Sequence, residues 1–187
     1  MILETERLIL RPWCEEDAQD CYDYASDPRV GPAAGWPVHP SVDYSRQIIR
    51  DVLSQPETYA VVWQKSGRVI GSIGLKFHSD LAHEDNECEL GYCVGVPYWG
   101  RGVATEAARE MLRHAFADLA LDRVWCGYYD GNEKSRRVQE KCGFRYQWTS
   151  EDLDVPQLQE KRRGHVSCLT REEWLEDNAA YCKAPCC

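Results

Sequence analysis

The chain has 187 residues, 43% of them hydrophobic, and a formal net charge of −9 at pH 7. This length favours a single domain spanning 1–187, and the apolar share excludes an intrinsically disordered chain. The acidic balance argues against a nucleic-acid partner, which would need clustered Lys and Arg, and no apolar run is long enough to cross a bilayer, so no membrane partner is expected.

The ten cysteines do not follow the spacing of a disulfide framework or of a zinc site. Cys88, Cys93 and Cys126 lie within apolar, strand-like runs, where cysteine acts as a small hydrophobic residue. The tail over 182–187 is interpreted as a frayed end, so we expect no metal. Because no secretory segment opens the chain, we expect a cytoplasmic protein with free thiols.

The first part of the chain predicts a strand followed by two helices. Residues 8–13 read as a strand and residues 15–26 as a helix. The segment 30–40 is rich in glycine and proline and is predicted to be a loop. A second helix is expected over 41–53, with Ser41 as its N-cap.

The remainder predicts antiparallel strands and then alternating strands and helices. Strands are expected over 59–64, 69–78, 87–96, 123–129, 144–149 and 164–169. Apolar residues from Ala104 to Leu119 fall on one helical face. A helix is expected over 132–142, with Asn132 as its N-cap and Gly143 as its stop. A helix from 171 to about 181 is expected to close the chain. The order predicts an α/β (α+β) fold: a mixed, mostly antiparallel central sheet of about seven strands, flanked by helices on both faces.

The most informative segment is 89–107, where a strand runs through a loop with Gly100 and Gly102 directly into a helix. Glycine lets the backbone approach a ligand closely, and the first turn of a helix leaves its N–H groups unpaired. Those donors, the helix dipole and the charge of Arg101 favour a pyrophosphate. The alternative is a tight strand–helix connection that holds no ligand.

Two well-known nucleotide-binding motifs do not fit this loop. A P-loop needs Gly-x-x-x-x-Gly-Lys-Ser/Thr, and neither the spacing nor the Lys is present. A dinucleotide fingerprint needs a third glycine where Thr105 stands, and it belongs to an early strand–helix–strand unit rather than after antiparallel strands. A pyrophosphate site late in a mixed sheet remains.

Residues 99–104, Trp-Gly-Arg-Gly-Val-Ala, resemble the acetyl-CoA-binding motif of the GNAT superfamily of N-acetyltransferases, Gln/Arg-x-x-Gly-x-Gly/Ala. They match it at Gly102 and Ala104, while Trp99 stands where Gln or Arg is usual. The segments 4–11, 70–75 and 132–144 are similar to the branch that acetylates the N-terminal alanine of ribosomal proteins. The resemblance covers nearly the whole chain and implies the acyl-CoA N-acyltransferase (GNAT) fold.

The resemblance implies acetyl-CoA as co-substrate. Pro97 cannot donate to a sheet ladder, so pairing is expected to fail there. In the family the strand splays from its neighbour and the pantetheine arm lies in the gap, which implies backbone contacts from Val94 and Val96. The rest of the expected cofactor-binding set is Gly100, Arg101, Gly102, Val103, Ala104 and Thr105 at the pyrophosphate, and Asn132 and Ser135 on the following helix.

Glu89 is predicted to be the general base, acting directly or through water. It shares a strand face with Gly91, which leaves space beside the carboxylate, and a buried carboxylate is costly without a task or a partner. The alternative is a structural carboxylate paired with an Arg or with backbone N–H groups. Glu87, nearer the preceding loop, is expected to be solvated.

Ser135 is predicted to give a proton to the leaving thiolate or to contact pantetheine. It shares a helix face with Val138 and Cys142, which are expected to face inward. The alternative is a hydroxyl that only caps the start of the helix. The basic residues on this helix are interpreted first as a solvated face, with contacts to the CoA phosphates as the other option; they are Arg136, Arg137 and Lys141.

The isolated histidines are expected to lie at the surface or to have their hydrogen bonds satisfied within loops; they are His39, His78 and His83.

The sequence therefore predicts direct transfer of acetyl from acetyl-CoA to a primary amine, on a protein N-terminus or a small molecule. One alternative is a non-catalytic CoA-binding sensor or assembly module of the same fold, and a weaker one is transfer of a longer acyl group. The first two helices and the loops 30–40 and 152–163 would set the acceptor, and those loops carry no recognisable signature. The acceptor and the oligomeric state, a homodimer included, stay open.

Overall fold

The computed structural model describes residues 1–179 as one sheet covered by helices. In this part of the chain eight strands follow the order β1-β2-β3-β4-β5-β6-β8-β7, and only β5 and β6 run parallel. The strands are β1 Leu3–Glu4, β2 Leu8–Pro12, β3 Thr58–Trp63, β4 Arg68–Lys76, β5 Glu87–Val94, β6 Arg123–Tyr129, β7 Arg145–Val155 and β8 Glu160–Thr170. The prediction of a mixed, mostly antiparallel sheet is confirmed, and the additional strand is the short β1.

The helices lie on both faces of this sheet. They are α1 Ala18–Ala25, α2 Gly31–Ala34, α3 Val42–Ile48, α4 Val103–Arg113, α5 Glu133–Lys141 and α6 Arg171–Asp177. A π-helical turn extends α3 over Ile49–Leu53 and another extends α4 over His114–Asp118. Ser41 caps α3 by accepting the amide of Tyr44, and Asn132 caps α5 by accepting that of Ser135, as predicted.

Alternation along the strands divides the core in two. The larger cluster joins Leu8, Leu10 and Leu90 to the apolar stripe of α4, which includes Met111 and Leu112. The smaller cluster lies on the opposite face, where Ala60 and Val62 of β3 pack against α1 and the end of α3. Residues of β5 therefore face α4 or α1 according to their parity.

Two segments predicted as loops are ordered. Residues 31–34 form the single turn α2, because a proline is tolerated in the first turn of a helix and Gly35, at φ 89°, provides the left-handed C-cap. Residues 152–163 belong to the long β7–β8 hairpin rather than to a loop. Charge pairs such as Arg163 with Glu151 link the two strands of this hairpin. Because both of its faces are largely exposed, the sequence shows no alternation of apolar residues that would identify the strands.

Other element boundaries shift by a few residues. The helix predicted over 15–26 begins as a 3-10 turn, Glu15–Asp17, before α1. Strand β5 ends at Val94, because Val96–Tyr98 forms a 3-10 turn. The closing helix ends at Asp177, and the tail over 182–187 lies outside the described residues.

Candidate active site

The parallel strands β5 and β6 separate partway along their length. Their register joins Glu87 to Arg123, Cys88 to Val124 and Glu89 to Trp125, and it stops there. Both strands continue, to Val94 and to Tyr129. The pairing therefore fails well before Pro97, where the sequence pattern predicted it. The result is a wedge-shaped gap in the middle of the sheet.

The gap exposes backbone groups of β5. The amide of Gly95 donates to Ile70 of β4, so odd-numbered residues of β5 direct their backbone groups to β4 and even-numbered ones face the gap. Tyr92 and Val94 are the even-numbered residues beside the opening. The Val94 carbonyl already accepts the Trp99 indole N–H at 2.6 Å, so we expect its amide to be the group free for a ligand.

The loop that leads into α4 presents a row of unpaired amides. Gly100 and Gly102 adopt φ of 71° and 76°, a left-handed conformation that favours glycine. Within residues 1–179, no oxygen accepts a hydrogen bond from the amides of residues 100–105, whereas the next amide, Glu106, donates to Gly102. A Cβ on Gly100 would meet nothing within 4 Å. The arrangement matches an anion site at a helix N-terminus.

An ion pair anchors this end of α4 to the edge of the sheet. The Arg7 guanidinium donates to Glu106 through Nε at 2.6 Å and to the Arg101 carbonyl at 3.0 Å. Glu106 also accepts the Arg7 amide and the Thr5 hydroxyl. Burial alone would raise the pKa of Glu106, but these donors hold it below its ordinary value. A single sequence contains no local signal for this contact, which joins positions about 100 residues apart.

Positive charge gathers at the same end of the site. Lys134 lies 3.9 Å from the centre of the Trp99 ring, and Arg137 and Lys141 line the same cleft. Arg136 instead pairs with Glu133 and Glu140, on the solvated side of α5. The cations available to a phosphate are therefore Lys134, Arg137 and Lys141 together with the exposed Arg101.

The cleft has a volume of about 1710 Å³ and runs through the gap from one face of the sheet to the other. The side chain of Glu89 lines it, half-buried, and its carboxylate has no hydrogen-bond or ion-pair partner among the described residues. A Cβ on the neighbouring Gly91 would meet nothing within 4 Å, so the space predicted beside Glu89 is present. Among the described residues, Glu89 is therefore not a structural carboxylate paired with an Arg or with backbone amides.

The prediction for Glu87 is wrong. Its side chain is buried and accepts the amides of His83 and Glu84 and the Trp125 indole N–H. Burial would raise the pKa of this carboxyl, but the hydrogen bonds, led by that of Trp125, lower it below its ordinary value. Glu87 is thus a structural carboxylate that closes the 79–86 loop onto β5 and β6.

Ser135 approaches the gap from the α5 side. Its Oγ lies 2.9 Å from the hydroxyl of Tyr92, and its amide is capped by Asn132. The other end of the Asn132 side chain donates to Ala33 of α2, so both of its polar atoms are engaged within the protein. Gln139, buried beneath Ser135, donates to Gly127 of β6. Tyr92 therefore positions a candidate catalytic hydroxyl.

Glu89 and Ser135 flank the gap from opposite faces of the sheet. Glu89 shares its parity with Cys93, which packs in the cluster beside α1, whereas Tyr92 packs in the cluster beneath α4 and carries the bond to Ser135. Both side chains nevertheless line one cleft, because the sheet is open between them. A reacting carbonyl in the gap would have a carboxylate on one side and a hydroxyl on the other.

Two negative findings concern residues 1–179. No group of three or more His, Cys, Asp and Glu side chains in that range could hold a metal ion. None of the helices described there combines the length and the apolar character needed to span a membrane. The seven cysteines described in the same range carry free thiols.

The chain is similar to known proteins in sequence and in fold. The profile of the acetyltransferase (GNAT) domain matches residues 7–145. The protein named Uncharacterized N-acetyltransferase p20 of Bacillus licheniformis is 28% identical over 159 residues, or 81% of this chain and 86% of that protein. A GNAT-family acetyltransferase from Bacillus anthracis superposes with a TM-score of 0.81 at 22% identity, over 92% of this chain and 99% of its own.

A ribosomal-protein-S5-alanine acetyltransferase from Vibrio fischeri has the same fold, with a TM-score of 0.73 at 18% identity over 93% of this chain and 98% of its own. The domain profile spans well over half of the chain and includes the splayed strand pair, the glycine loop and α5. The chain belongs to the GNAT acetyltransferase family, which uses acetyl-CoA.

Proposed function

We propose that this chain transfers the acetyl group of acetyl-CoA to a primary amine by direct attack. The observation that carries the proposal is the run of unpaired amides at 100–105, directly beside the opening between β5 and β6. Amides in a helix's first turn bind phosphate oxygens well, and the cations on α5 add charge of the right sign. The gap is the route by which an extended pantetheine arm would reach Glu89 and Ser135.

When bound, acetyl-CoA supplies the thioester whose carbonyl carbon the amine attacks. The chain's own residues then handle protons: Glu89, directly or through water, takes one from the nitrogen, and Ser135 gives one to the leaving sulfur as the C–S bond breaks and the C–N bond forms. The Ser135 hydroxyl regains its proton through Tyr92 or solvent. These roles are supported by the unpaired Glu89 carboxylate and by the 2.9 Å contact between Ser135 and Tyr92.

The decisive experiment separates binding from turnover. Glu89→Gln keeps the shape of the side chain, so we expect CoA affinity measured by calorimetry to stay within about twofold while kcat falls on the order of 100-fold. Glu84→Gln, an exposed residue of the preceding loop, is the matched control and should change neither quantity. Turnover is followed as free thiol with an alanine-initiated peptide, a linear diamine, an aminoglycoside and a free amino acid.

Two results would redirect the proposal. Tight CoA binding with no acetyl transfer to any of these amines would favour a CoA-binding sensor or assembly module. Unchanged turnover in Glu89→Gln would remove Glu89 as the base but leave the transferase assignment standing. Competition between acetyl-CoA and longer acyl-CoAs tests the choice of acyl group in the same assay.

A further inference from the structure

His39 lies in the wall of the cleft on the α1 side, the side that Glu89 faces. The residue is 6% exposed and lines the same cavity as Glu89 and Gly91. Its amide donates to Ala25 at the end of α1, and its ring lies between Trp36 and Tyr44, with ring centroids 5.3 Å and 5.0 Å away. Although it comes from a glycine- and proline-rich segment, the imidazole is held in one position.

Ser45 holds one nitrogen of this ring in place. Nδ1 lies 2.8 Å from the hydroxyl of Ser45, which is fully buried in α3. For Nε2 to act as a base, the ring must carry its proton on Nδ1 and donate it to the Ser45 oxygen.

The other ring nitrogen is then a free base. His39 Nε2 has no hydrogen-bond partner within residues 1–179 and is not completely buried, and the residue lines the cleft. Burial lowers the pKa of His39 below 6.5, which keeps the ring neutral near pH 7. The titratable side chains of α1, α3 and β5 that line the cleft are Cys21, Tyr24, Tyr44, Glu89, Tyr92 and Cys93. The lowering of the His39 pKa comes from burial and from none of them.

The proposed reaction needs two groups that accept protons from the substrate nitrogen. An amine arrives as an ammonium ion, which must lose one proton before it attacks and a second once the C–N bond has formed. We propose, on the basis of the proposed function, that His39 Nε2 takes the first proton from the acceptor ammonium and that Glu89 takes the second. The sulfur receives one proton from Ser135, which is replaced through Tyr92 or solvent as Glu89 gives up the proton it took, and His39 returns its own to water when the product leaves. The net balance is one proton to the thiol and one to solvent.

The role of His39 makes a prediction that can be tested without an amine substrate. Long-range proton–nitrogen NMR at pH 7.5, with the His39 signals assigned by difference against His39→Gln, should show a neutral ring with the proton on Nδ1 and a bare Nε2. Ser45→Ala removes the acceptor for that proton and should shift the tautomer toward Nε2–H. A ring that carries its proton on Nε2 in the unsubstituted protein overturns the proposal.

Kinetics supply the second test. His39→Asn keeps a polar atom near Ser45 and His39→Gln keeps one near Nε2, but neither can take a proton. Both should melt near the wild-type temperature, bind CoA within about twofold and lose kcat on the order of 100-fold. Both should also lack the acid-side inflection in the pH profile that we expect of the wild type below pH 6.5. His83→Gln is the control, because the His83 side chain is exposed and has no hydrogen-bond partner in the described part of the chain.

The outcomes separate the two proposals. Wild-type turnover with an unchanged pH profile in His39→Gln overturns the role of His39 and leaves acetyl transfer intact. A wild-type protein that binds CoA but acetylates none of the four amine classes contradicts the proposed function, and the role of His39 with it. If one His39 variant fails to fold, the other variant and the tautomer measurement still decide.

Discussion

The hydroxyl of Tyr92 lies 2.9 Å from Oγ of Ser135, a contact that joins β5 to α5 across the gap beside β6. The Tyr92 hydroxyl also lies 3.2 Å from the backbone carbonyl of Ser135, to which it can donate, and either hydroxyl can be the donor in the contact between the two side chains. The pair fixes Ser135 against the opening where the chemistry is proposed to occur. It also makes Tyr92 a positioning residue rather than simple packing.

Replacing Tyr92 by Phe should lower kcat by roughly 5- to 20-fold, because the serine hydroxyl loses the neighbour that orients it and returns its proton. CoA affinity should not change. A double-mutant cycle is the diagnostic measurement: in a Ser135→Ala background the same Tyr92→Phe change should have no further effect on kcat. Equal losses in the two backgrounds would show that Tyr92 acts independently of Ser135. Tyr22→Phe serves as the control.

Gly91 offers a way to block the acceptor side without disturbing the fold. Its φ is not in the left-handed region, and a Cβ there would meet nothing within 4 Å. Gly91→Ala should therefore be tolerated, whereas Gly91→Leu should fill the space beside Glu89 and raise the KM of the acceptor on the order of 10-fold or more. Binding of CoA, measured by calorimetry, should be nearly unchanged. An acceptor KM indifferent to side-chain size at position 91 would place the amine elsewhere.

Glu87 should govern part of the acid stability. Its pKa is lowered from an ordinary value of 4.5, so its stabilisation is fully present above that pH and is lost as the pH falls through the folded-state value. Glu87→Gln puts an N–H₂ group among three donors and should cost about 1–3 kcal/mol at pH 7. The difference in the free energy of unfolding between this variant and the wild type should shrink below pH 4. Urea melts at pH 7 and pH 3.5 check this, and a constant difference would refute it.

Much of the fold was predictable because it rests on local patterns. The apolar stripe of α4, the caps Ser41 and Asn132 and the stop at Gly143 mark their elements directly in the sequence. The β7–β8 hairpin was only partly found, because cross-strand charge pairs and a backbone ladder stabilise its outer half. Strand pairing and the opening between β5 and β6 depend on distant segments, which a local pattern does not encode.

The site divides in the same way. The glycines of the loop, the carboxylate at Glu89 and the hydroxyl at Ser135 carry chemistry that can be recognised in the sequence, and the structure brings them to one cleft. His39 and Tyr92 went unrecognised because their significance comes from partners far along the chain or in another element, Ser45 and Ser135. Glu87 was misjudged because its burial depends on the fold of the 79–86 loop.

The central claim is that free amides at the start of α4 hold the diphosphate of coenzyme A. Amide NMR shifts measured during titration with CoA, and separately with pantetheine, test it most directly. CoA should move the amides of residues 100–105 more than any others, while pantetheine, which lacks the diphosphate, should move those of Tyr92 and Val94 and leave 100–105 in place. Equal responses to both ligands at 100–105, or no response there to saturating CoA, would contradict the claim.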